Sequence, residues 1–463
     1  MPSSNLPNLL FITTDHQRAD SLGMVQAGVE VTPNLNRLAQ DAAVFTRAYN
    51  ACPLCAPART AMATGKYPTR TGIAVNDFRG EHAEDHKPMH QFLSEAGFEV
   101  AHVGVHHVRV EPTLDNRLPF AKWFTGSEYE QAMQEKGISL KDRDTSRFRS
   151  TVVENQLGKM VESSYSNTVT DVWPYGLDTF KDRHFAREAV EYLERPPARP
   201  FALFVCLWAP HPPLEVPEPY ASMFDPDTID LPANVDLPAD GEPPGRRQGM
   251  PAQLAEGLTE QEWRKVWAAH LGLTRLADDC LGDILAALDS SGQSGNTLVL
   301  FTSDHGDHLG QHRMYQKMEM YEQAINVPLV IRGPGVTTHR SNGLVSHLDI
   351  LPTLLHHYRI PQPDDLDGTS FCESIAAGTP VPDRPVFSQY SGNKTVGNIR
   401  RAVITRRHKY IFDPADKPEL YDLEADPLET SNLAADPANA SLIKELHDLC
   451  ESWGRSHGDW VFK

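Results

Sequence analysis

The stretch YNACPLCAPARTAMATGKYPTRTG, residues 49–72, sets Cys52 and Cys55 three positions apart and follows the second with Pro57 and Arg59. Thiols at that spacing have four chemical readings: half of a metal clamp, half of a redox pair, a small buried residue, or the raw material of a catalytic group. A structural zinc site would call for a second ligand pair at similar spacing, and none follows. A thioredoxin-like pair needs a preceding strand and an opening helix, which this stretch can supply, so that reading stays open at this level.

Carboxylates and imidazoles gather at four other places. Asp15 and His16 stand in FITTDHQRAD, His106 and His107 follow EVAHVGV, His211 lies in WAPHPP, and Asp304 and His305 lie in SDHGDHLGQH. Each closes a short, almost uninterrupted apolar run. One such residue alone most often caps a helix or forms a turn. Four together point elsewhere if the runs are parallel strands, because an open parallel sheet binds its ligands beyond the carboxyl ends of its strands. Asp15, Asp304 and His305 would then offer hard oxygen donors and one nitrogen, a set that suits calcium, magnesium or manganese better than a thiolate zinc site.

The elements that must position these residues are legible from their periodicity. NLLFITTD (8–15), EVAHVGV (99–105), PFALFVCLWAP (200–210) and NTLVLFTSD (296–304) read as buried strands. TPNLNRLAQDAAVF (32–45), with Thr32 as cap and Pro33 in its first turn, reads as a helix; so do HQFLSEAG (90–97), RHFAREAVEYLER (183–195) and WRKVWAAHLGLTRLADDCLGDILAALDSSG (263–292). The expected fold is α/β, with a large, mostly parallel central sheet flanked by helices over residues 1–380. From about residue 384 the pattern shifts to RPVFSQYS, RRAVITRRHKYIFD and ELYDLEADP, then SLIKELHDLCESW (441–453). This predicts a C-terminal α+β subdomain over 381–463, a four-stranded antiparallel sheet closed by a terminal helix. Residues 110–180 and 214–256 are rich in charge, Pro and Gly and read as surface excursions, where substrate-facing loops tend to lie. Within the second, Arg246 and Arg247 read as a solvated loop, with an acidic sugar or a neighbouring subunit as the sharper alternative.

Composition narrows the partners. The 463 residues are too many for one small core, and 62 Asp plus Glu against 43 Lys plus Arg leave a formal charge of -19. Such a chain repels nucleic acid and anionic membranes, so an anionic substrate needs a locally positive site, a metal included. MPSSNLPNLLFITTD lacks the basic start and long apolar run of a secretory signal, and no segment approaches the roughly 20 apolar residues of a membrane span. A cytoplasmic location is expected. Six scattered cysteines do not form a disulfide framework.

CAPAR resembles the Cys-x-Pro-x-Arg signature of the type I sulfatases, a branch of the alkaline phosphatase superfamily. FITTDHQRAD, WAPHPP, TSDHGDHLGQHRMYQK (302–317) and ELYDLEADPLETSNLAADP resemble further family blocks in the right order, so the likeness spans nearly the whole chain. It implies an alkaline phosphatase-like fold and a sulfuric ester hydrolase acting on a small-molecule sulfate ester. It also implies that a formylglycine-generating maturation enzyme oxidises Cys55 to an aldehyde, which hydrates to a geminal diol. One diol oxygen attacks sulfur; deprotonation of the other expels sulfate, so no water has to attack the sulfuryl centre. By the same resemblance, Asp15, Asp304, His305 and the modified Cys55 hold one divalent cation, calcium in the first place and manganese or magnesium as alternatives. Arg59, one helical turn past the nucleophile, orients the diol; His211 protonates the leaving oxygen; His107 takes the proton as sulfate departs; Lys317 grips the ester anion, with Asn76 in GIAVNDF beside it. A homo-oligomer is left open.

The chain departs from the pattern at two places. His16 follows Asp15 where many sulfatases carry a second aspartate; choline sulfatases and phosphonate monoester hydrolases have Gln there and share PLCAPAR. His16 is therefore a ligand, a contact to the ester, or a support for one. The Gly-Lys-Trp-His block becomes Gly104, Val105, His106, His107, so its lysine is missing and His106 or a loop residue would have to replace that charge. The loss disfavours dianionic phosphate monoesters. Phosphonate monoesters and phosphodiesters, monoanions like a sulfate ester, form the alternative substrate class; the retained His107 favours sulfate. A non-catalytic protein on the same fold should have lost a ligand or the nucleophile, and none of them is lost.

Overall fold

The computed structural model describes residues 6–76 and 82–463. The chain passes through β1 (Asn8–Asp15), β2 (Ala43–Tyr49), α1 (Cys55–Thr64), β3 (Glu99–Gly104), β4 (Lys122–Phe124), the hairpin β5 (Arg149–Gln156) and β6 (Lys159–Ser166), and α2 (Lys181–Glu194). It continues through β7 (Phe201–Pro210), α3 (Glu260–Ser290), β8 (Thr297–Ser303), β9 (Asn326–Arg332) and β10 (His339–Ser341). Apart from the hairpin, these strands join in the order β10-β2-β9-β8-β1-β7-β3-β4, and Val345–Ser346 adds to β2 to complete nine strands. β8, β1, β7, β3 and β4 are mutually parallel, and β9 runs against both β8 and β2.

Alternation along each strand splits the core between two faces. Leu10 and Ile12 of β1 face the layer of α2 and α3, with Phe185, Leu193 and Trp267. Leu9 and Phe11 face the opposite layer, with Met62, Leu351 and Leu354. Both faces being covered, the strands carry continuous apolar runs, as a parallel sheet requires. Because β8, β1, β7 and β3 are adjacent and point the same way, Asp304, Asp15, His211 and the His106–His107 pair all emerge on one rim. β2 ends on that rim too, and the chain turns from it directly into α1.

The predicted helix over 32–45 is shorter, Pro33–Gln40, and its AVF tail belongs to β2. Thr32 does not cap it: the Thr32 hydroxyl donates instead to the Ser21 carbonyl at 2.8 Å. Pro33 does open the helix. β9 was not anticipated. Its Pro328 cannot donate to a ladder, and the pairing with β2 shifts register between Val327 and Leu329, where that missing donor is accommodated. Arg246 is not solvated either; its guanidinium is buried against Glu419 and lies 3.0 Å from Asp413, while Arg247 pairs with Glu242 at 2.6 Å.

Toward the C-terminus, β11 (Val386–Tyr390), β12 (Arg400–Ile404), β13 (His408–Phe412) and β14 (Glu419–Asp422) make a four-stranded antiparallel sheet. The helix α4 (Ala440–Ser456) lays Leu446, Cys450 and Trp453 on it, Trp453 stacking on Phe387 with centroids 4.5 Å apart. Its strands alternate between faces, Phe387 and Val403 lying toward α4 and Val386 and Ala402 toward the main core.

Gly104 ends β3 at φ +108°, and a Cβ there would lie 2.0 Å from the Cys206 carbonyl oxygen of β7. Only glycine lets β3 close against β7 and turn His107 toward the rim. Gly104→Ala is expected to cost about 3 kcal/mol, from strained φ and the backbone collision together. Urea denaturation should show a lower midpoint at unchanged slope; an unchanged midpoint would mean β3 closes differently.

Candidate active site

Cys55 is the first residue of α1, at the end of the helix where free N–H groups point outward. Leu54 gives no side-chain cap; Asn76 supplies one from a distance, its Oδ1 accepting the Ala56 N–H at 3.1 Å. The Asn76 amide donates in turn to Asn393 Oδ1 at 3.0 Å, so both ends of this side chain are engaged in holding the helix start. Around Cys55 Sγ lie Lys317 Nζ at 2.8 Å, His305 Nε2 at 3.3 Å and Asp15 Oδ1 at 3.7 Å. Burial, with the Asp15 charge beside it, pushes the Cys55 thiol well above the usual range despite Lys317. Cys52 is fully buried and pushed up as well. A redox-active pair needs a depressed thiol, so the thioredoxin-like reading fails here.

Arg59 sits one turn below Cys55 and faces the strand tips. Its Nε donates to Asp304 Oδ2 at 2.8 Å, and its terminal nitrogens reach Asp15 Oδ2 at 3.2 Å, Thr13 Oγ1 at 3.2 Å and the Thr14 carbonyl at 3.3 Å. The resemblance had Arg59 orienting the nucleophile; in the structure it grips the two carboxylates from behind and does not line the cavity in front of Cys55. Asp304 stays well below the normal carboxylate range, because Arg59, His305 and Lys317 together outweigh its burial. Asp15, buried and facing Asp304, is raised to about 7. One guanidinium does not neutralise both.

The ligand-type atoms of Asp15, His16, Cys55 and His305 all lie within 4.8 Å of one another, and Asp304 Oδ1 is 3.6 Å from His305 Nε2. Burial holds His305 down at about 3, so its imidazole is neutral with Nε2 turned to the carboxylates, while Nδ1 lies 3.0 Å from the Gly306 carbonyl. His16 is also held neutral by burial, and both its nitrogens are used: Nδ1 meets Asp307 Oδ2 at 2.7 Å and Nε2 meets Lys317 Nζ at 2.6 Å. Nδ1–H therefore donates to Asp307, leaving Nε2 to accept from the lysine. His16 itself takes φ +69°, which turns its ring back over the end of β1.

Lys317 arrives on a loop whose backbone is unusual. Leu309, His312, Arg313, Gln316 and Met318 all have positive φ, the last two bracketing Lys317. Strain of this kind persists where surroundings over-determine it and clusters at functional sites. Burial would lower the Lys317 pKa, but Cys55, Asp15 and Asp304 win and raise it, so the lysine is an ammonium.

His211 and His107 stand on the outer side. The His211 ring lies 3.8 Å from that of Trp208 and 4.4 Å from that of His16, and its Nδ1 contacts the Pro212 carbonyl. His107 Nδ1 is buried with no partner among the described residues. Burial lowers both pKa values well below normal. A cavity of about 570 Å³ opens in front of Cys55, lined by Asn76, His107, His211 and Lys317. His106 does not line it. That ring packs beside Trp123 at 4.9 Å and faces a second cavity of about 560 Å³, so the expectation of an ester contact from His106 is not met. Sequence reasoning also missed Asp307, three residues past Asp304 in the same block, and the hairpin residues Arg149 and Tyr165 on the cavity wall.

The chain matches the family model described as Sulfatase over residues 7–360 and the one described as N-sulphoglucosamine sulphohydrolase, C-terminal, over residues 310–454. It belongs to the sulfatase family. This sulfatase-family hydrolase is 29% identical to the multifunctional alkaline phosphatase superfamily protein PehA of Trinickia caryophylli, covering 98% of this chain and 96% of that one. It is 27% identical to an arylsulfatase of Clostridium perfringens, covering 96% of each. Among solved structures, the phosphonate monoester hydrolase of Silicibacter pomeroyi superposes with a TM-score of 0.78 at 23% identity, over 99% of this chain and 97% of that one, a likeness of fold. No described helix is long and apolar enough to cross a membrane.

Arg59→Ala leaves Asp15 and Asp304 facing each other in a buried site without the cation that bonds to both, Lys317 alone remaining. Breaking such a pair costs about 3–5 kcal/mol. Arg59→Lys, which keeps the charge but not the planar fork, should recover only part of it. Chemical denaturation of the two variants checks this; wild-type stability in Arg59→Ala would show that the carboxylates do not depend on it.

Proposed function

We propose that this sulfatase-family protein hydrolyses sulfate monoesters through Cys55 converted to formylglycine, with a divalent cation at the strand tips. The observation that carries the reading is the junction at Cys55 Sγ, where a carboxylate, an imidazole and an ammonium from three separate segments come within 3.7 Å of one side-chain atom. The donor set fits a hard cation: Asp15, Asp304 and His305 offer two carboxylates and a neutral imidazole, and the raised Asp15 marks negative charge that Arg59 leaves unmatched. His16, already spent between Asp307 and Lys317, is assigned to hold the lysine. Such a cation would lower the pKa of a hydroxyl on residue 55 and polarise the ester oxygens. Calcium is the proposed metal, with manganese and magnesium as alternatives.

The remaining roles belong to the chain. Lys317 presents its ammonium to the ester anion beside residue 55. His211, backed by Trp208, delivers a proton to the leaving oxygen through Nε2, its Nδ1 being turned to a carbonyl. His107 accepts the proton lost when sulfate departs, and its unpartnered Nδ1 is free for that. Asn76 fixes the start of α1, and with it the position of residue 55. The unpaired cysteines support a cytoplasmic location, and the separate C-terminal sheet supports a division at residues 1–380 and 381–463. Phosphonate monoesters and phosphodiesters are the second reading, supported by Val105 in place of a lysine and by the likeness of fold to the phosphonate monoester hydrolase of Silicibacter pomeroyi.

Three measurements test the proposal. The peptide containing Cys55, from protein made in its native host, should carry the mass of formylglycine; cysteine throughout overturns the nucleophile. With 4-nitrophenyl sulfate, a phosphonate monoester and a phosphodiester of the same leaving group, kcat/KM should be highest for the sulfate, and the reverse order installs the second reading. His211→Ala should lower kcat for an alkyl sulfate by about 10²–10⁴ while sparing the 4-nitrophenyl ester, whose leaving group needs no proton. Equal losses on both would remove the general-acid role.

A further inference from the structure

The cavity in front of Cys55 is electrostatically unlike the rest of the chain. Its described lining holds four cationic side chains, Arg109, Arg149, Lys317 and Lys394, and no aspartate or glutamate. Lys317 is engaged at Cys55 and His16. The other three have no carboxylate within ion-pairing distance among the described residues, whereas Arg143 and Arg147 on the neighbouring segment are tied to Glu215 and Asp171.

Two of the three are held by neutral groups and the third has an unmet donor. The Arg149 guanidinium donates to the Ser164 carbonyl at 2.6 Å and lies 3.3 Å from Ser164 Oγ and 3.4 Å from Ser166 Oγ, which fixes its direction without cancelling its charge. Lys394 Nζ stands over the Tyr165 ring, 5.1 Å from its centroid. Arg109 Nε is buried with no acceptor among the described residues, an unmet donor on the cavity wall. Trp208 and Tyr165 contribute ring faces to the same wall.

A sulfate monoester brings one negative charge to the reacting centre, which Lys317 and the proposed cation meet. Three further cations exceed that need, in a chain whose formal charge is -19. We propose that the alcohol half of the substrate is a ring bearing a second anionic group, a carboxylate or another sulfate, bound by Arg109, Arg149 and Lys394. This rests on the sulfate-ester reading and excludes leaving groups that are cations. Arginine suits either anion, because its planar fork matches two oxygens at once.

The test compares aryl sulfates of matched phenol acidity bearing a carboxylate, a second sulfate, the corresponding carboxamide, or a trimethylammonium group. For the wild-type protein, kcat/KM for the anionic esters should exceed that for the carboxamide by about tenfold or more and fall with added salt; the trimethylammonium ester should be poorest. The relative rates of the first two name the anion. In R149Q/K394Q the ratio of anionic to carboxamide ester should approach one. Ratios near one in wild type, or a double variant that lowers every ester equally, overturn the proposal while leaving sulfate hydrolysis standing. If only phosphonate esters are turned over, the sulfate reading falls and the same ratio on phosphonate esters decides this one. If no ester is turned over, calorimetric binding of the carboxylate and carboxamide esters to Cys55→Ala protein gives the same ratio.

Discussion

Two carboxylates at the tips of adjacent parallel strands, sealed from water, are held together by the Arg59 guanidinium, and the site's geometry depends on that contact. Asp15 and Asp304 leave β1 and β8 side by side and would repel strongly where no solvent screens them. Arg59 neutralises part of that repulsion. It lies closer to Asp304, at 2.8 Å against 3.2 Å, and Asp15, raised by its burial and then by Asp304, needs a further positive group to stay ionised. The fourfold spacing of Cys55 and Arg59 acquires its meaning here. One helical turn puts residue 55 at the helix mouth and the guanidinium beneath it, so the carboxylates are gripped from behind while the other Asp15 oxygen faces Cys55 and the other Asp304 oxygen faces His305.

The second positive group is delivered differently. Lys317 comes from a loop rather than from a strand tip, and Asp307 shapes that loop. Asp307 Oδ1 accepts the Leu309 and Gln316 N–H groups, each at 3.0 Å, while Oδ2 takes the His16 Nδ1–H. A single carboxylate thus folds the strained loop back on itself and orients the imidazole that receives the lysine. Asp307, His16, Lys317 and Cys55 form one continuous line of contacts from the loop to the start of α1. Burial raises Asp307 to about 7, so the line depends on its donors as much as on charge. This accounts for a histidine after Asp15: a second carboxylate there would pair with Lys317 as an ion and could not pass a hydrogen bond on to Asp307.

The rim was legible in the sequence because buried parallel strands write continuous apolar runs and the residue ending each run must face the same edge. β1, β3, β7 and β8 all satisfied that logic, as did the C-terminal sheet and α4. β2 was lost because its AVF start continues the pattern of the preceding helix, and β9 because Pro328 argues against a central strand. Which way a side chain turns was not legible. Spacing put Arg59 one turn from Cys55 but could not say that it faces away from the cavity, nor that of the neighbours His106 and His107 only His107 reaches the cavity in front of Cys55. The hairpin escaped for a local reason. Its turn places Leu157 at φ +51° and Gly158 at φ +79°, a geometry usually announced by Asn-Gly, and leucine gives no such signal.

The acidic composition and the cationic cavity are compatible because they act over different distances. At physiological ionic strength a charge is screened beyond about 8 Å, so the excess of carboxylates on the outer surface governs how the molecule meets nucleic acid or a membrane and reaches little into a narrow cleft. Inside the cleft the low-dielectric walls focus the field of whichever charges line it. Here those are Arg109, Arg149, Lys317 and Lys394. The carboxylates beside Lys317, Asp15 and Asp304, lie behind Cys55 and are turned toward Arg59. An anion entering this cavity therefore meets positively charged side chains on its way to residue 55, and the buried carboxylates lie beyond them.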